Sequence, residues 1–85
     1  MIIASLSGGS VFNTKEIVSF NFVMKRDKKG KIYKRNGNYI VDKTKIGILF
    51  KNGVGIELNH VTVEDGEKMF NIILEAMKED NKQDK

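Results

Sequence analysis

The chain has no cysteine, no proline and no tryptophan in 85 residues, and only one histidine. Without cysteine there is no disulfide, no thiolate metal site and no thiol nucleophile. Unstapled, a fold of this size rests on its core alone, with little stability to spare. The lone His60 leaves little material for a histidine-built metal site or proton relay. Long apolar runs are also missing. The longest, Ile46 to Phe50, has five residues, whereas a membrane-spanning helix needs about 20. The opening Met1–Leu6 carries no basic residue and gives way to Ser7-Gly8-Gly9, short of the roughly 7–15 apolar residues of a secretory core region. No membrane partner is therefore expected, and the cytoplasm is the expected compartment.

Hydrophobic residues make up 40% of the chain and charged residues 31%, the balance of a soluble globular domain. The length allows one domain. Lys78–Lys85 contains no apolar side chain, so the expectation is a single domain over 1–79 and a charged, disordered tail at 80–85.

Turn signals divide the first sixty residues. Gly8-Gly9 follows the apolar opening, and Gly30 follows Asp27-Lys28-Lys29. Asn36-Gly37 and Asn52-Gly53 are favoured pairs for two-residue type I′ hairpin turns, which need positive φ at both positions. The runs between turns alternate. Val18, Phe20, Phe22 and Met24 are expected on one face of a strand over 17–24, opposite Ser19, Asn21 and Val23. Ile46, Ile48 and Phe50 pair across Asn52-Gly53 with Val54, Ile56 and Leu58. A weaker hairpin joins Lys31–Arg35 to Asn38–Asp42. Short strands are expected at Ile2–Leu6 and Ser10–Phe12, followed by a turn at Asn13–Glu16.

After His60 the period lengthens. Thr62 is an N-cap, with Glu64 and Asp65 in the first turn. Met69, Phe70, Ile73, Leu74 and Met77 form an apolar stripe of period 3.6, widened by Ile72 and Ala76. Gly66 costs about 1 kcal/mol relative to alanine in a helix, which points to close packing against a strand. Strands first and one amphipathic helix last predict an α+β domain: a twisted antiparallel β-meander of about five to seven strands packed by one C-terminal helix.

Charge is segregated. The formal net charge is +4, but Lys25–Lys45 holds nine basic and two acidic residues, a net of +7, while His60–Lys85 holds four basic and seven acidic, a net of −3. Enzymatic chemistry is not expected. Ser5, Ser7, Ser10 and Ser19 lack a nucleophile-elbow context. Ser7-Gly8-Gly9-Ser10 lacks the lysine and following helix of a phosphate loop. Asp27–Gly30 lacks the alternating oxygen ligands of a calcium loop. His60 is read as a junction residue bonding backbone. Neither cofactor nor metal is expected.

Binding is what remains. The first expectation is a small non-enzymatic regulatory module that docks onto a larger protein partner, with complementary charge steering the encounter. The alternative is a DNA- or RNA-binding module, in which cations neutralise phosphates and tyrosines stack on bases. Both readings use Lys25, Arg26, Lys28, Lys29, Lys31, Tyr33, Lys34, Arg35 and Tyr39. A purely solvated hairpin, its lysines guarding a sheet edge, is the plain counter-reading. The expected state is a monomer or a homodimer formed through an edge strand, with the uncharged Ile2–Leu6 as one candidate edge.

The order Gly9, Asn13, Ile17, Asn52, Gly53, Glu64 resembles several families of very small bacterial proteins, among them short proteins encoded in flagellar operons. These are turn and core positions, and the charged segment 25–45 has no counterpart there, so the resemblance implies no function.

Overall fold

The computed structural model describes residues 1–83. Seven strands are followed by one helix: β1 (Ile2–Ala4), β2 (Val11–Asn13), β3 (Ile17–Met24), β4 (Lys34–Arg35), β5 (Asn38–Tyr39), β6 (Val41–Phe50), β7 (Gly55–Asn59) and α1 (Val63–Gln83). A single 3₁₀ turn, Thr14–Glu16, links β2 to β3 and is capped by Asn13, whose side chain accepts from the Lys15 N–H. The α+β class, the antiparallel pairing and the single C-terminal helix are those the residue pattern predicts. The strands divide among three sheets: β1-β2, β3-β6-β7 and β4-β5.

The central sheet carries the core. Ile46, Ile48 and Leu58 point to its covered face and are buried with Met69 and Ile73 of α1. Fully burying such a side chain stabilises the fold by roughly 1.5–3 kcal/mol. Phe70 of α1 stacks on Phe22 at 4.5 Å between centroids and tilts against Phe20 at 4.8 Å. Phe12 of β2 meets Phe50 edge-on at 5.9 Å, which ties the small β1-β2 sheet to the same core.

Two irregularities reshape β3. Ile17 faces Phe50 but Ser19 faces Leu49, so Val18 is an extra residue in the ladder. This bulge puts Ile17 on the same side as Phe20 and Phe22 and leaves Val18 58% exposed, which corrects the expectation that Val18 points inward. Met24, also expected inward, is exposed because β3 leaves the core there. Further along, Phe22 faces Ile46 and Val23 faces Asp42, so Lys43, Thr44 and Lys45 of β6 bulge out of the ladder with β3.

That second bulge seats the helix. A Cβ on Gly66 would lie 1.7 Å from the Lys43 carbonyl oxygen, so only glycine lets the first turn of α1 approach. Thr62 caps α1, its hydroxyl accepting from the Asp65 N–H at 3.1 Å. The Asn52-Gly53 turn differs from the expected type I′. Gly53 has φ +86° while Asn52 stays at negative φ, and Phe50 pairs with Val54 around three loop residues. This is a type I turn closed by a glycine bulge, with the Asn52 side chain accepting from the Val54 N–H.

The expected tail is corrected at its start. The helix continues through Gln83, and Asp80 is only 5% exposed. Gly66, Met69, Ile73, Ala76 and Asp80 form the most buried line of α1. Asp80 accepts from the Met1 ammonium at 2.7 Å and from the Thr14 hydroxyl. Asp84 and Lys85, also assigned to the tail, lie outside the described residues. No helix among the described residues is long and apolar enough to cross a membrane.

Candidate functional site

From Met24 to Tyr39 every residue is exposed. This stretch is an arm that β3 and β6 carry away from the core. The Lys25 N–H donates to the Ile40 carbonyl at 2.8 Å, and the Lys25 carbonyl accepts from the Tyr33 N–H at 2.6 Å. Lys25 thus joins two small hairpins. In the first, Arg26 bridges Ile32 and the chain reverses at Asp27–Gly30, with Gly30 at φ +83°. The Asp27 carboxylate accepts from the N–H groups of Lys29 and Lys31 at 2.9 and 3.0 Å, the side-chain bonding that makes aspartate a turn residue. The Arg26 guanidinium donates to the Gly30 carbonyl at 2.8 Å. In the second hairpin, β4 and β5 are joined by Asn36 and Gly37 at φ +52° and +80°, the expected type I′ turn.

The nine residues singled out from the sequence all lie on this arm and all are exposed. Lys25, Arg26, Lys28, Lys29, Lys31, Lys34 and Arg35 make no ion pair with any described residue. The two acidic residues of the basic segment are occupied locally, Asp27 by its turn and Asp42 by Thr44. The Asp42 carboxylate accepts from the Thr44 hydroxyl at 2.6 Å and its N–H at 3.0 Å. Those two bonds, helped by Lys45 and Lys25, hold its pKa below the ordinary carboxylate value against a smaller effect of burial. The arm therefore keeps a large excess of positive charge, seven cations against the one carboxylate of Asp27. At its base Lys43 reaches Glu67 of α1 at 3.5 Å.

The tyrosines are unequal. Tyr39 lies beside Lys34 on the paired strand, and the Lys34 ammonium rests 4.6 Å from the Tyr39 ring centroid. One face of that ring is thus occupied by the arm's own cation. Tyr33 has no such partner among the described residues. Ile32 on the arm and Val41 at its base are exposed apolar residues as well.

The remaining candidate groups lie elsewhere. The Thr44 carbonyl accepts from the His60 N–H at 2.7 Å and faces His60 Nδ1 at 3.0 Å. Because a carbonyl only accepts, Nδ1 carries the proton, and the ring fastens the β7–α1 junction to the β6 bulge. His60 Nε2 is buried and has no hydrogen-bond partner among the described residues. On α1, Glu75 and Glu79 pair with Lys78 and Lys82 one turn on. No group of three or more metal-ligating side chains gathers among the described residues. The sequence reading missed the ion pair between Met1 and Asp80. A lone acidic residue in line with the apolar stripe, at positions 69, 73, 76 and 80, was its only signal.

Comparison with protein-family models, with curated proteins and with solved structures finds no match to this chain.

Proposed function

We propose that this protein is a non-catalytic binding module that docks through its basic arm onto an acidic surface of a larger protein. The observation that carries the reading is the run of seven exposed, unpaired cations on a hydrogen-bonded arm. Ile32, Tyr33, Tyr39 and Val41 set exposed apolar area among those charges. The cations steer the encounter, and the apolar side chains supply area to bury.

Nucleic acid is the second reading, favoured by the same seven cations and by the open ring of Tyr33. It is weakened at Tyr39, where Lys34 already covers a face that a base would stack on. The test is titration of labelled single- and double-stranded DNA and RNA at two salt concentrations. In parallel, acidic proteins retained from a native extract are compared between the wild type and Lys28→Glu/Lys29→Glu/Lys31→Glu. The protein reading expects weak nucleic-acid binding that disappears as salt rises and a retained partner lost in the triple variant. Tight nucleic-acid binding at physiological salt replaces it with the second reading. A triple variant that behaves like the wild type in both assays removes the arm from function.

A further inference from the structure

The strand β1 has a free edge. Met1 O accepts from Thr14 N–H and Ser5 N–H donates to Ser10 O, both at 2.8 Å, and Ile3 faces Phe12 between them. Antiparallel pairs alternate between bonded and non-bonded, so residues 1, 3 and 5 turn their backbone groups toward β2. Ile2 and Ala4 turn theirs away, and no described residue pairs with them. The edge is short, three residues, but among the described residues it carries no side-chain charge, no proline and no covering loop. Ile2 itself is 66% exposed.

An apolar groove continues from that edge. Met1, Ile72 and Ala76 line an open hollow of about 460 Å³ flanked by Lys68, Glu75 and Glu79. Met1 sits at Asp80 and the Leu6 N–H meets Met69 Sδ at 3.3 Å, so β1 runs antiparallel to α1. The charges flanking the groove differ in sign at its two ends. Lys68 lies before Ile72, and Glu75 and Glu79 lie after it.

We propose that a second copy of this chain docks antiparallel along β1, making a two-fold symmetric dimer. The outward groups are in register for it. With the axis at Ile3, Ile2 of one copy exchanges N–H and C=O bonds with Ala4 of the other, and Ala4 with Ile2, four bonds in all. The two small sheets become one of four strands. The same axis sets the helices antiparallel. The grooves then face each other, and Lys68 comes within reach of Glu79 of the second copy. A self-complementary patch of this kind closes at two subunits. The arm takes no part, so the dimer stands or falls independently of the proposed docking partner.

Sedimentation equilibrium over a range of concentrations tests it. The wild type is expected to associate to a dimer and no further. Ile2→Pro removes an outward N–H and an exposed side chain, leaves the bonds to β2 in place, and is expected to shift the chain to monomer while its circular dichroism stays unchanged. Lys68→Glu places like charges opposite each other twice per dimer and is expected to raise the dissociation constant about tenfold, the size of two exposed ion pairs. Lys68→Glu/Glu79→Lys is expected to restore the wild-type constant, which simple loss of stability would not do. A wild type that stays monomeric up to about 1 mM, the weak end of specific association, overturns the proposal. So does a dimer insensitive to both Ile2→Pro and Lys68→Glu.

Discussion

Asp80 and Gly66 are the residues on which the closure of the helix depends. The bonds from the Met1 ammonium and the Thr14 hydroxyl, in that order, hold the Asp80 carboxyl below its ordinary pKa against the smaller opposing effect of desolvation. A depressed folded-state pKa contributes stability that is present above the unfolded value, about 3.9, and is lost as pH falls through the folded value. Asp80→Asn is therefore expected to lower the urea midpoint at neutral pH, and the gap to the wild type is expected to close in acid. Asp42, also held low, leaves the variant some acid sensitivity of its own. A constant gap at all pH values would contradict the charged pairing. At Gly66, alanine gains about 1 kcal/mol in helix propensity but drives a methyl into the Lys43 carbonyl. A net loss of about 3 kcal/mol is expected, the upper end for overpacking, read by thermal or denaturant unfolding. Gly66 was legible in the sequence because a glycine in a helix needs a packing reason. Asp80 was not, since its burial depends on a chain end 79 positions away.

Among the elements, α1 and the β6–β7 hairpin follow from local pattern. Both apolar triplets of the hairpin and the period of the helix are set within a few residues, and Thr62 caps where it is expected. Thr62→Ala is expected to cost about 1 kcal/mol, measured as a drop in the unfolding midpoint with unchanged slope. The two bulges were not legible. Val18 reads as inward by simple alternation, and only the pairing of β3 with β6 reveals the extra residue. The bulge at Lys43–Lys45 likewise exists because it has three clients in the fold. Asp42 binds Thr44, Thr44 binds His60, and Lys43 receives Gly66. The first lies within β6, but the other two are contacts between elements, and period-two reading sees only one strand at a time. The arm divides the same way. Its charge is plain from composition, and its Asn36-Gly37 turn from two residues. The double use of the Lys25 backbone needs Tyr33 and Ile40 in place.

At the scale of the molecule the arm dominates the shape. The extents are 44 × 22 × 22 Å and the Cα radius of gyration is 14.0 Å, against about 12 Å for a compact chain of this length. Because Lys25 and Ile40 are already hydrogen-bonded, residues 26–39 can be replaced by a single Asn-Gly pair that closes β3 onto β6. No residue from 26 to 39 is buried, so stability is expected to change by no more than about 0.5 kcal/mol. The radius of gyration in X-ray scattering is expected to fall toward the compact value. A large loss of stability would show that the arm supports the core. The exposed, lysine-rich turns of the arm have a further consequence for a chain that is cut. Trypsin is expected to cut between Lys25 and Arg35, where every residue is exposed and none belongs to the packed interior. A nick there separates β3 and everything before it from β6, β7 and α1, yet those two pieces share the β3–β6 ladder, the Phe22–Phe70 stack and the Phe12–Phe50 contact. The severed halves should stay together as a non-covalent pair, and expressed separately they should find each other. The expected cleavage point and the proposed docking arm are then the same stretch of chain, and the two pieces are expected to behave as a complementation pair.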